Sequence, residues 1–179
     1  MIKRYRGVTL VELLVTIAIV AILATIGFPS FQSSLRSNRM ATTNNELIAS
    51  ISLTRSEAMR SVRGAGICAS EDGTSCSGGW SDGWIVWQDL DGGASGTFDE
   101  DDLVVRHAEG AADITIELRN TSNVVLTELG FDTRGRPLAG STPLSWTLTP
   151  GNCPEGGQFV RLVEITLAGQ AKTLKGNCP

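Results

Sequence analysis

The residues able to do chemistry are few, and the first is a carboxylate in an apolar setting. Glu12 lies inside a stretch running from Val8 to Phe28 that otherwise carries no charge. A charged side chain within a bilayer costs at least about 2.5 kcal/mol, so the sequence asks for a partner to neutralise it. Four cysteines, Cys68, Cys76, Cys153 and Cys178, come next. An even number in an oxidising compartment points to disulfides, and four cysteines permit three pairings. Local pairing, Cys68 with Cys76 and Cys153 with Cys178, needs no long crossing and would contribute roughly 2.5 and 3.5 kcal/mol by loop entropy. A zinc site is the rival reading, but the spacing is not that of paired short knuckles and the chain has 1 His.

Catalysis finds little support. The lone His107 sits in a strand-like run, and neither a Gly-x-Ser-x-Gly elbow nor a His-Glu-x-x-His pair occurs, so an enzyme is not expected and no cofactor is called for. The acidic segment Asp89-Leu90-Asp91-Gly92-Gly93 through Asp99-Glu100-Asp101-Asp102 invites a calcium reading. An EF-hand register starting at Asp89 puts Ala94 where the turn needs Gly and Gly93 where a ligand belongs, which favours a solvated hairpin loop. Trp80, Trp84 and Trp87 invite base stacking, but strand alternation places one or two of them in a core.

These residues need elements to position them. Lys3, Arg4 and Arg6 precede the apolar stretch, which is long enough to cross a hydrocarbon core as a helix. By the positive-inside rule its amino end is cytoplasmic and the remainder lies across the membrane. No signal-peptidase site precedes Pro29, where the helix is expected to kink and then continue. From there Leu47, Ile48, Ile51, Ala58, Met59 and Val62 fall on one face, with Arg55, Glu57 and Arg60 off it, and Gly64 and Gly66 act as stop signals. After Ile67 the pattern becomes short apolar runs broken by Gly, Asp, Asn and Pro. Segments 84–87, 103–105, 114–118, 124–126, 144–148 and 159–167 read as strands, the last forming a hairpin with 171–175 about Gly169. The organisation expected is a leader over 1–7, a membrane and assembly helix over 8–28, its amphipathic continuation over 29–63, and a β-rich head over 64–179. The fold class is α+β, a long amino-terminal helix packed on an antiparallel sheet.

The string Gly7-Val8-Thr9-Leu10-Val11-Glu12-Leu13-Leu14 resembles the type III signal of type IV prepilins and type II secretion pseudopilins. The resemblance implies that a prepilin peptidase cuts after Gly7 on the cytoplasmic face and methylates the new amino terminus at Val8, where relatives usually have Phe. It also assigns Glu12, the fifth mature residue, to pairing with the amino terminus of a neighbouring subunit during fibre assembly. Such a charge-assisted pair would be strong in a low dielectric.

The later segments Ala49–Arg63 with Arg55-Ser56-Glu57-Ala58, Ile67-Cys68, Trp80–Trp87 with Asp89, and Phe131–Pro137 resemble the GspH/FimT family of minor pilins and pseudopilins. That resemblance implies the type IV pilin fold, with other pilin or pseudopilin subunits and the prepilin peptidase as partners. It implies residence in a bacterial inner membrane, single-pass with a periplasmic carboxy-terminal domain, before incorporation into a pilus or pseudopilus. The implied function is that of a minor type IV pilin in assembly or priming near the fibre tip, with a role in twitching motility or DNA uptake. The alternatives are a minor pseudopilin of type II secretion and a DNA receptor for transformation. For DNA, the candidate contacts are Arg134, Arg136, Lys172 and Lys175; the relatives' Gly-Arg-x-Arg-like segment corresponds to Gly169-Gln170-Ala171-Lys172, which lacks the first arginine. Loss of residues 1–7 removes three cations and no acid, so Lys+Arg falls from 15 to 12 against Asp+Glu 19 and the formal charge from −4 to −7. Such a surface repels phosphate overall, so DNA is not the favoured partner.

Overall fold

The computed structural model describes residues 8–90, 96–111, 113–138 and 143–179, apart from the side chains of Ile26, Gly27, Pro29 and Ser30. The chain divides into two units, Met1–Asn38 and Arg39–Pro179. Helix α1 is assigned over Leu10–Arg60. The kink expected at Pro29 falls on a side chain outside the described ones, as does the leader over residues 1–7.

In the first unit the described apolar side chains of α1 are uncovered, from Leu10 at 74 % exposure to Phe31 at 61 %. Among the described residues no helix is long and apolar enough to cross a membrane.

In the second unit α1 buries Met40, Leu47, Ile51 and Ala58, with Thr43, Asn44, Ser50, Thr54 and Glu57 on the same face. Those positions recur at intervals of three and four, as a helix seated on a core requires. The face keeps Leu47, Ile48, Ile51 and Ala58 as expected and departs from expectation at its end: Met59 and Val62 are 49 % and 89 % exposed, whereas Glu57 is buried, accepting a hydrogen bond from Arg60 Nη1 at 3.3 Å. Of its polar members, Thr54 Oγ1 donates to Ser50 O at 2.8 Å and Asn44 Oδ1 accepts from Thr173 Oγ1 at 3.3 Å, whereas the buried Ser50 hydroxyl finds no hydrogen-bond partner among the described residues.

Nine strands follow among the described residues. A four-stranded antiparallel sheet has the order β3 (Leu103–Glu109), β2 (Gly83–Gln88), β1 (Ala65–Ala69), β6 (Glu128–Phe131). A five-stranded one has the order β5 (Val125–Leu126), β4 (Ile114–Arg119), β7 (Leu144–Pro150), β8 (Val160–Ile165), β9 (Ala171–Gly176). The head thus holds two sheets, and β5 and β6, consecutive in sequence, form one edge of each.

The main core draws on α1 and both sheets, with Leu47, Ile67, Trp84, Ile116, Trp146 and Val163 among its members. The outer face of the first sheet carries a second cluster of Cys68, Ile85 and Trp87, covered by Cys76, Phe98 and Val104. Strands β1 and β2 are accordingly buried on both faces while the edge strand β3 stays largely exposed, and Trp80, Trp84 and Trp87 are all buried, one more than alternation suggested. Trp80 stacks edge-to-face on Trp146 with ring centroids 5.3 Å apart and donates from Nε1 to Leu126 O at 2.7 Å. Gly66, read from the sequence as a helix stop, lies inside β1, where a Cβ would run into the Trp87 indole. His107 is an exposed residue of β3 facing the turn at Gly73.

Candidate assembly interface

The amino end of α1 is built from a Thr-x-x-Glu pattern that passed unnoticed in the sequence. Thr9 precedes the first helical residue, and its Oγ1 accepts the backbone N–H of Glu12 at 3.3 Å. The first helical bond, Leu13 N to Thr9 O, follows at 3.1 Å. This is half of a capping box, with Glu12 at its third helical position, where the helix dipole favours a carboxylate. Glu12 therefore sits in the first turn and is exposed. No hydrogen-bond donor to its carboxylate lies among the described residues. The cap engages the backbone N–H of Glu12 and not its carboxylate.

The head is pinned at two places. Cys68 is bonded to Cys76, with Cα atoms 5.6 Å apart, and Cys153 to Cys178, with Cα atoms 5.4 Å apart. No thiol remains for zinc, and among the described residues no group of His, Cys, Asp and Glu is placed to hold a metal ion. The first bridge encloses a turn organised by Asp72, which accepts from Thr74 N–H, Ser75 N–H and the Ser75 hydroxyl. Those bonds, the Ser75 hydroxyl foremost, hold its carboxyl well below the usual range. The second bridge anchors the end of the chain, where Cys178 N donates to Gly157 O at 2.8 Å. Close by, the buried Arg161 donates from Nη1 to the carbonyls of Gln158, Phe159 and Val160. Nothing in the sequence marked Arg161 as structural.

Residues 91–95 of the acidic segment lie outside the described ones. Its far end packs on β6: Glu128 accepts the Phe98 N–H at 3.0 Å and Asp102 accepts those of Leu90 and Asp99. Burial pushes the carboxyls of Glu128 and Asp102 upward despite these bonds.

Of the four candidate cations for DNA, Arg134 and Arg136 stand on the turn after β6 and Lys172 and Lys175 on β9. Arg136 is paired with Asp132 at 2.8 Å, and Asp132 also accepts the N–H groups of Arg134 and Arg136. Burial alone would raise the Asp132 carboxyl, but these bonds outweigh it and bring it below its ordinary value. Lys172 stands opposite Glu164 in the β8–β9 register and Lys175 opposite Arg161. Three positions apart on one strand, the two lysines project from opposite faces.

What the geometry does bring together is the Asp132–Pro137 turn, the Thr166–Gln170 turn and α1. Arg55 Nε donates to Gly135 O at 3.3 Å, and Gly169 packs against Gly135 and Arg55. Both glycines have positive φ, 73° and 72°, and a Cβ on either would press on its neighbours.

A family model described as type II transport protein GspH matches residues 43–169, well over half of the chain. The chain belongs to this family. A second model, the prokaryotic N-terminal methylation motif, matches residues 2–28. The GspH-family chain is similar in structure to the type IV minor pilin FimU of Pseudomonas aeruginosa strain PAO1 in two crystal forms. In space group P21 the TM-score is 0.54 at 22 % identity, covering 76 % of this chain and 89 % of that one. In space group P65 it is 0.52 at 21 % identity, covering 75 % and 91 %. The likeness shows the fold, an amino-terminal helix packed on antiparallel sheets. A comparison with curated proteins found no match.

Proposed function

We propose that this chain is a minor type IV pilin, held in a bacterial inner membrane by residues 8–28 and then drawn into a fibre to support assembly near its tip. One observation carries the reading. A GspH-family head is joined in sequence to a methylation motif whose described apolar side chains are uncovered and whose one acid, Glu12, has no partner among the described residues. An apolar helix of this kind requires either lipid or other helices around it, and exchange of the first for the second is what incorporation into a fibre would provide. Glu12 would then meet the positively charged amino terminus left on a neighbouring subunit by cleavage after Gly7, and the head would make the lateral contacts.

The description of the matching family favours keeping a minor pseudopilin of type II secretion as a second reading, because the same leader, helix and head would serve it. Reception of DNA is not favoured, because Arg136 is engaged with Asp132 and Lys172 and Lys175 project from opposite faces of β9.

The test is the intact mass of the chain isolated from its own cells, together with its presence in sheared fibres. The proposal expects loss of residues 1–7, a methyl group on Val8 and recovery with the fibre fraction. A product that retains Met1, or one confined to the membrane fraction while fibres are made, overturns it.

A further inference from the structure

We propose that Arg55 receives a carboxylate from a neighbouring fibre subunit, in a groove of the Arg39–Pro179 unit. This rests on the fibre-subunit reading given above. The groove, about 350 Å³ in volume, runs between α1 and the β8–β9 turn; Ile51, Ser52, Arg55, Met59 and Gln170 line it.

Two features prepare Arg55 for an anion. Its stem is held: a Cβ at Gly135 would come within 2.9 Å of Arg55 Cγ and 3.0 Å of Nε, and one at Gly169 within 3.2 Å of Nε. With Nε already committed to Gly135 O, the guanidinium has little rotamer freedom left to lose on binding. Its charge is also unmatched. Arg39, Arg60, Arg106, Arg119 and Arg136 each pair with an acid, and Arg161 spends itself on three carbonyls. Among the described residues no carboxylate pairs with Arg55, which is half-buried. A fixed, half-buried guanidinium with its Nη groups available suits a planar carboxylate, which it can hold through two parallel bonds.

The surroundings favour a protein side chain over a nucleic acid. Met59, at 49 % exposure, lines the groove beside the charge with apolar surface. An occupant bearing a carboxylate beside an aliphatic group would use both features. A phosphate backbone needs several cations in succession, but Arg136 is taken by Asp132 and Lys172 lies opposite Glu164.

The experiment places a photo-crosslinking residue at Ser52 of the full chain, in cells assembling fibres. It compares the unaltered groove with Arg55→Gln, Arg55→Lys and Gln170→Glu. The last puts an acid beside Arg55 while leaving the arginine and its bond to Gly135 in place, so it decides the matter should Arg55→Gln fail to fold. Resistance of all four cysteines to alkylation reports folding. The expected result is a cross-link to an acidic peptide of another fibre subunit, with yield falling about tenfold in Arg55→Gln and Gln170→Glu and less in Arg55→Lys. Equal yield in folded Gln170→Glu, cross-links to nucleic acid alone, or none at all overturns the assignment. Where the chain is recovered in sheared fibres without the cross-link, the docking site falls and the fibre reading stands. Where it never enters fibres, both fall.

Discussion

Loss of the Cys153–Cys178 bridge should cost the head more than loss of Cys68–Cys76, and the reason is chain entropy. The bridges close segments with sequence separations of 25 and 8. For loops of these lengths the denatured chain regains about 3.5 and about 2.5 kcal/mol of freedom when the bond is removed. In a domain of this size 1 kcal/mol corresponds to about 2–4 °C, so Cys153→Ala with Cys178→Ala should lower Tm by about 7–14 °C and Cys68→Ala with Cys76→Ala by about 5–10 °C. The structure makes the comparison discriminating. Cys68 is fully buried in the cluster with Ile85 and Trp87, whereas Cys178 is 6 % exposed beside the end of the chain. If side-chain packing governs, the order reverses, because removing Cys68 opens a void in a filled cluster. Thermal unfolding of the full chain in detergent, followed by tryptophan near-ultraviolet dichroism, reads both values. A larger loss from the Cys68–Cys76 pair refutes the entropic reasoning.

Two further outcomes follow from the packing and the charges. Trp146→Ala removes a fully buried ring stacked on Trp80 and should cost about 3–5 kcal/mol in denaturant unfolding, against a small loss for Leu167→Ala on the exposed turn. Burial makes Glu128 hold its proton to higher pH in the folded than in the unfolded chain. The folded state is therefore favoured as pH falls through that raised value, and disfavoured once the carboxyl ionises. Glu128→Gln keeps an acceptor for the Phe98 N–H and should raise Tm at pH 7, with the gain shrinking as pH falls toward the carboxylate range; a gain independent of pH contradicts the assignment.

The strands most legible in the sequence were those with a wet side. In β4 and β7 buried residues alternate with more exposed ones, and Ile114, Ile116 and Leu118 announce that period directly. The strand β1 gave no such signal: Ala65–Ala69 is buried at all five positions, holds two alanines and a glycine, and follows the helix end closely, so Gly66, with Gly64 just before it, resembled punctuation. Its identity depends on Trp87, which needs the space at Gly66. The apolar part of the α1 face was legible in Leu47, Ile48, Ile51 and Ala58, but its four uncharged polar members, Thr43, Asn44, Ser50 and Thr54, were not; only tertiary packing makes them interior. Glu12 stood out in the sequence as a lone charge, while the role of Thr9 as its cap needed the structure. Arg55 belonged to a recognised motif, but its contact with Gly135 spans 80 residues, a separation that no local pattern encodes.

The central claim is that Glu12 serves the joining of one subunit to another. Its most direct measurement is the amount of Glu12→Ala protein in sheared fibres relative to the membrane, with Glu12→Gln beside it. Both variants should reach normal membrane levels and be cleaved after Gly7 but be strongly depleted from fibres, since the amide also lacks the charge. Undiminished incorporation of Glu12→Ala contradicts the claim.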